Sequence, residues 1–281
     1  MELVPLPGVG PQRLHDALRE LMFSCQNARG AGGAGGDADG RFSQYQRWVS
    51  SAARSASGVL YQQDVDRLIT TPRYWALVSL HLDARRQEVE LVDLELDLRK
   101  RELEAAVDVL SHRIARLDHH HGVLVVADTN VYLHHERRFD AIDWASVVSA
   151  PSAGVHLVIP LLVVDELDRQ KRTDRPVKVR RGHEETVGTR ARITLRTLSE
   201  LFGDPLWVAT IRPDPLPTAM PVRAELLLDP PAHHRLPDAD AELVRRAVSL
   251  RDLSGRPVTI ATLDQGMRFR AKAAGLETVT P

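Results

Sequence analysis

Four stretches of this 281-residue chain put carboxylates where an open α/β sheet does its chemistry. Asp128 directly follows the apolar, β-branched run Val123 to Ala127, which reads as a buried parallel strand. A carboxylate at the carboxyl end of such a strand lies where these sheets bind ligands, although capping the next helix is a purely structural use for it. A second strand-like run, His156 to Ile159, leads through Pro160 into a helical pattern carrying Asp165, Glu166 and Asp168, all three candidates at this stage; Leu162 and Glu166, four apart, share a face. Pro237 to Val244 opens another helix, with Asp238 suited to the N-cap. Asp240 is not needed for capping and is the stronger functional candidate, and the two are also spaced to share a metal. The last strand, Pro257 to Leu263, ends in Asp264, with Thr262 two residues earlier projecting to the same side.

Carboxylates gathered at one sheet end repel one another, and burying several without a counter-charge is costly. A hard divalent cation removes that cost. Mg²⁺ takes a few carboxylates plus waters and keeps positions open for phosphate oxygens. Such a centre activates water and offsets the charge that develops at phosphorus.

The elements that must position these acids lie in the second half of the chain, where short Val/Ile/Leu runs alternate with helical patterns as in an α/β unit. The first half reads as helical. Pro11 to about Arg29 sets Leu14, Leu18 and Leu21 on one face, and a second helix is expected over Phe42 to Ala56. Between them, Ala28 to Gly40 is too rich in glycine to pack and reads as a flexible loop. A long helix is expected over about 73–118. Its every-seventh-residue series, Leu82, Val89, Leu96, Leu103, Leu110 and Leu117, has both heptad core positions apolar only in the last two heptads. Leu91, Leu94 and Leu98 form a second stripe, suited to packing on the earlier helices or on another subunit. His119, His120 and His121 read as a solvated linker, since adjacent residues rarely aim at one ion. The chain thus divides into a helical region, 1–121, and an α/β domain, 122–281.

Composition bounds the function. Lys plus Arg is 37 against 38 for Asp plus Glu, a net charge of −1, so bulk charge does not capture nucleic acid and any polyanion must meet a local patch. The single cysteine, Cys25, forms neither an internal disulfide nor a cysteine-based zinc site, which suits a reducing cytoplasm. No apolar run approaches the ~20 residues of a membrane span, and the N-terminus lacks a basic head followed by an apolar stretch. A cytoplasmic protein without membrane contact is expected.

The segment from Val123 to Pro281 resembles the PIN domain, a family of metal-dependent nucleases. The resemblance rests on VADTNVYLHH, VIPLLVVDELDRQKR, LPDADAELVRRAV and TIATLDQGMRFRAKAAGL, in that order and each beside the strand or helix it needs. It implies a three-layer α/β sandwich around a parallel sheet of strand order 3-2-1-4-5, here preceded by an all-α region with a long helix. It implies Asp128, Glu166, Asp240 and Asp264 as the catalytic acids. Asp128, Asp240 and Asp264 would hold Mg²⁺ or Mn²⁺, with Asp238 as a further metal ligand and alternative third acid, and Thr129, Asn130 and Thr262 would support them. The implied substrate is single-stranded RNA.

The family reading calls for a substrate groove, and the basic stretch from Arg169 to Arg196 is the candidate. Arg169, Lys171, Arg172, Arg190 and Arg192 are its main RNA-binding candidates, joined by Arg268; Arg270 and Lys272 extend the set or face solvent. Phe202 to Arg235 departs from a compact PIN pattern as a proline-rich insertion with two strand-like runs. His183, His233 and His234 read there as isolated surface histidines. The competing reading is a non-catalytic PIN-like module that binds RNA or protein, with the helical half as an assembly arm for a second copy or another protein. All four acidic positions being filled weighs against it. An Asp-x-Asp phosphotransferase is disfavoured because Thr129 and Asn130 follow Asp128.

Overall fold

The fold is given by a computed structural model, which describes residues 3, 5–6, 8–30, 38–80, 87–118, 122–149, 154–178, 184–203, 208–211, 222–229 and 233–281. The chain separates into two compact units, one comprising Met1–Leu117 with Asp252–Gly255 and the other Asp118–Arg251 with Arg256–Pro281. The expected linker histidines 119–121 lie outside the described residues.

The first unit is helical: α1 (Pro11–Gly30), α2 (Ala38–Ala56), α3 (Gln62–Leu68), α4 (Pro72–Leu80) and α5 (Gln87–Asp118). α1 buries Leu14, Leu18, Leu21, Cys25 and Ala28, one stripe at helical spacing. α5 buries Val92, Leu96, Leu103, Ala106, Leu110 and Leu117. The helix expected over 73–118 is thus described as α4 and α5, with 81–86, including Leu82, outside the described residues; so is most of the expected glycine-rich loop, 31–37. Of the second leucine stripe, Leu91 and Leu94 are 40% and 53% exposed and Leu98 is half-buried. Buried charged residues described in this unit are paired. Arg41, buried, reaches Asp93 and also donates to the carbonyls of Ala28 (2.8 Å) and Arg29 (2.9 Å), which closes the end of α1. Glu95, buried, accepts from Thr71 (3.0 Å) and pairs with Arg99. Among the described residues no helix is long and apolar enough to cross a membrane.

The second unit runs β1 (Val123–Ala127), α6 (Thr129–His134), a short 3₁₀ turn, α7 (Trp144–Val147), β2 (Val155–Pro160), α8 (Leu161–Gln170), β3 (Pro176–Lys178), β4 (Glu184–Thr186), α9 (Val187–Leu201), β5 (Ala209–Ile211), β6 (Val222–Leu227), α10 (Ala239–Ser254), β7 (Val258–Ala261), α11 (Gln265–Ala273) and β8 (Glu277–Val279). The central sheet has the order β5-β6-β2-β1-β7-β8. Every pairing is parallel except that of β5 with β6. Numbered along the chain, the five parallel strands stand in the expected order 3-2-1-4-5. The stretch expected as an insertion therefore supplies the third parallel strand, β6, as well as the antiparallel edge strand β5. β3 and β4 form a separate hairpin.

The burial of β1 and β2 follows from their continuous apolar sequences, which suit strands covered on both faces. Right-handed crossovers leaving β1 in the two directions send the α8–α9 layer and the α10–α11 layer to opposite faces. The strand order reverses beside β1, so the carboxyl ends of β1 and β7 form the crevice where such sheets bind ligands.

Gly188, one residue into α9, fixes how this helix meets the end of α8. Its N–H donates to the carbonyl of Thr173 at 2.9 Å. A Cβ there would stand 2.6 Å from the Lys171 carbonyl oxygen and 2.9 Å from that of Thr173. Both obstacles are backbone, so Gly188→Ala is expected to destabilise the chain by about 1–3 kcal/mol, read as a lower urea midpoint.

Candidate acidic active site

β1 and β7 pair with Ala127 opposite Ala261, and the ladder continues one step further as the Asp128 N–H donates to the Ala261 carbonyl at 2.9 Å. That register sets Asp128 opposite Thr262. The Thr262 hydroxyl donates to Asp128 Oδ2 at 2.8 Å and itself accepts the Asp264 N–H at 3.0 Å. Asn130 Nδ2 also donates to Asp128 Oδ2, at 3.2 Å. Asp128 is 5% exposed and Thr262 wholly buried. Both side-chain hydrogen bonds fall on one oxygen of Asp128.

The three acidic candidates of α8 separate cleanly. Asp165 pairs with Arg235 at 2.6 Å, and Arg235 also holds Asp229. Asp168, well exposed, pairs with Lys171 at 2.6 Å. Glu166 alone of the three turns toward β1, where its Oε2 accepts the Thr129 hydroxyl.

Asp238 sits at the N-cap of α10, its Oδ1 accepting the Asp240 N–H at 3.0 Å, as its position before the helix suggests. Asp240 is bound by Arg270, whose other terminal nitrogen lies 3.8 Å from Asp238. Asp264 caps α11, Oδ1 accepting from the Gly266 and Met267 N–H groups.

Electrostatics couples these side chains. Burial raises the Asp128 carboxyl above its ordinary range, opposed by the Thr262 and Asn130 hydrogen bonds. Burial raises Glu166 as well; the charges of Asp128 and Asp240 add to this, and the Thr129 bond opposes it. Asp240 is raised by burial, then by Asp128, with Arg270 pulling the other way.

The donor set suits a hard divalent cation in kind, since it offers oxygen donors only. As they stand, no three Asp, Glu, His or Cys side chains among the described residues are placed to hold one. The physical reason is that each acid has another partner: Arg270 sits on Asp240 and faces Asp238, and Asp264 is turned into its helix cap.

The basic candidates divide. Arg190 is not on a rim. It is 2% exposed, and its guanidinium donates to the carbonyls of His135 and Arg137, fastening α9 to the loop after α6. The alternation of Arg190 and Arg192 along α9 separates them: Arg192 is exposed and donates to the Thr189 hydroxyl at 3.1 Å. Arg169, Lys171 and Arg172 lie at the exposed end of α8, and Arg169 acts electrostatically on Glu166. Arg268 is half-buried. Residues 179–183, with Arg180, Arg181 and His183, lie outside the described residues.

Two roles were not legible from the sequence. Arg270, read as part of a basic rim or as facing solvent, is the cation on the acidic group. His233, read as an isolated surface histidine, bonds the buried Glu242 at 2.7 Å. Glu242 also accepts the Leu236 N–H at 3.0 Å, which ties the segment before α10 to that helix. The run Asp238-Ala-Asp-Ala-Glu242 carried the hint, since an acid four residues after an N-cap returns to the same face.

A family model described as PIN domain matches residues 125–281, more than half of the chain. No curated protein matches it. PIN domains are generally nucleases and typically depend on a divalent metal.

Raised carboxyls favour the protonated form in the fold. Between the ordinary carboxylate range and the raised values the folded chain holds more protons than the unfolded one, so stability falls as pH rises through that window. In metal-free buffer, the thermal midpoint of Asp128→Asn should exceed that of the parent at about neutral pH, and the gap should close toward about pH 4. Added Mg²⁺ or Mn²⁺ should raise the parent's midpoint more than the variant's, as binding to the folded state alone requires.

Proposed function

Because the chain belongs to the PIN-domain family, we propose that it is a Mg²⁺- or Mn²⁺-dependent ribonuclease that hydrolyses phosphodiester bonds of single-stranded RNA. The observation that carries this reading is geometric: at the carboxyl end of the sheet the buried Asp128 carboxylate is oriented by Thr262 and Asn130, and Glu166 is held beside it by Thr129. A structural cap or a solvated acidic face needs no such support.

In this reading Asp128, Asp240 and Asp264 hold the metal, with Asp238 beside them, and Glu166 positions metal or water. The bound cation supplies a Lewis acid that activates water and offsets charge on the phosphate. Thr262 and Asn130 fix the orientation of Asp128, and Thr129 fixes that of Glu166, so the carboxylates spend little freedom on meeting substrate. Arg169, Lys171, Arg172, Arg192 and Arg268 are the residues on which the phosphodiester backbone would rest.

Asp128→Asn keeps an oxygen to accept from Thr262 and so retains the fold. With Mg²⁺ or Mn²⁺ present, it is expected to slow cleavage of an unstructured oligoribonucleotide by more than about a hundredfold, the scale on which removing one fixed electrostatic group acts. Gel analysis of end-labelled RNA is the measurement. Equal cleavage by parent and variant overturns the assignment. A parent that leaves every RNA of a structured and unstructured panel intact favours the non-catalytic reading instead.

A further inference from the structure

One guanidinium stands between the acids of α10 and a part in a metal centre. Arg270, on α11, donates through Nη1 to Asp240 Oδ2, and its second terminal nitrogen lies 3.8 Å from Asp238. The same guanidinium crosses the first turn of its own helix: Nη1 and Asp264 Oδ1 stand 3.7 and 3.0 Å from the point that a Cβ on Gly266 would take. Arg270 thus sits among Asp238, Asp240 and Asp264.

An arginine paired with an aspartate at a surface ordinarily adds a little stability and nothing more. Arg270 differs in what surrounds its carboxylates. Among the described residues it is the one cation in an ion pair with any of Asp128, Glu166, Asp238, Asp240 and Asp264; Asp128, Glu166 and Asp264 accept from hydroxyl, amide or backbone donors. One positive charge does not balance that group. The Asp240 carboxyl stays raised with Arg270 upon it, because burial and the charges of Asp128, Asp238 and Asp264 outweigh the guanidinium. Arg235 also joins two acids, Asp165 and Asp229, but neither is among the charges that act most on Glu166 or Asp240.

Arg270 is also held loosely. Its side chain is 49% exposed and that of Asp240 40%, so the pair separates at little cost. Arg190, sealed against two backbone carbonyls, has no such freedom. A divalent ion brings twice the charge of a guanidinium in a smaller volume, so it is the better partner for clustered carboxylates. The two cations repel and do not share one position.

We infer that Arg270 is a resident counter-ion of the acidic centre that a divalent cation must displace, so that metal loading and release of the guanidinium are one exchange. In the metal-free chain Arg270 holds Asp238 and Asp240 against the repulsion of Asp128 and Asp264. Metal loading turns the α10 carboxylates away from it and returns its side chain to solvent. While the guanidinium is in place, no three acids among the described residues are set to hold an ion. The inference rests on the metal-dependent reading of the site.

The test measures Mn²⁺ binding to the full chain, stripped of metal and free of RNA, by isothermal titration calorimetry. Arg270→Gln is expected to bind Mn²⁺ at least about fivefold more tightly than the parent. Lys272→Gln makes the same change of charge on the same helix, about 200° round its axis from Arg270. It is expected to stay within about twofold of the parent. Added Mn²⁺ should also raise the thermal midpoint of Arg270→Gln more than that of the parent, and the melting curve in metal-free buffer shows that the variant folds. An Arg270→Gln affinity no more than about twofold above the parent's, or matched by Lys272→Gln, overturns the exchange and leaves the metal site standing. Mn²⁺ binding that appears only once Arg270 is removed supports it. Absence of Mn²⁺ binding in parent and variant alike overturns both the exchange and the metal-dependent reading beneath it.

Discussion

The α/β unit depends on one contact, the hydroxyl of Thr262 on the carboxylate of Asp128, 2.8 Å across the carboxyl ends of β1 and β7. A buried carboxylate without a donor is among the costlier features a fold can carry. The register of the two strands delivers a donor at the required place, and the same hydroxyl then accepts the Asp264 N–H. Two acidic residues 136 positions apart in sequence are thereby joined through one side chain that is itself wholly buried. Slipping either strand by one residue would turn Thr262 away and leave Asp128 unpaired.

Around that contact the acids are handled by graded means. Asp128 and Glu166 are supported by neutral hydroxyl and amide donors, which fix direction without cancelling charge. Asp240 is met by a full cation, Arg270, and Asp264 by the N-terminal amides of α11. The supports are therefore weakest in charge where burial is greatest. That gradient leaves negative charge concentrated at the crevice beside β1, where the strand order reverses, and it is there that an added cation would gain most.

The helical unit follows the opposite rule. Its buried ionic groups are closed among themselves, as Arg41 does with Asp93 and the end of α1, and Arg99 with Glu95 and the end of α3. Removing one partner from such a set is expensive, whereas its net contribution to stability is small, so these networks specify packing more than they strengthen it.

The sequence by itself determined the fold class. Continuous apolar runs such as Val123 to Ala127 have only one economical use, a strand covered on both faces, and the alternation with helices then leaves few topologies. It also placed Asp128, Asp240 and Asp264 at element ends and Glu166 inside a helix, and it set Asp238 at a helix N-cap, because capping is a local relation. What only the tertiary structure decided is which charges face one another. Asp165, Glu166 and Asp168 are equivalent on paper, yet one meets Arg235, one Thr129 and one Lys171. Arg190 and Arg192 look alike as rim residues, yet one is sealed against two carbonyls. Arg270 crosses 30 residues to reach Asp240. The reason is physical: backbone periodicity is written in neighbours three and four residues away, whereas ion pairing depends on the crossing of separate helices over the sheet, which no local pattern encodes.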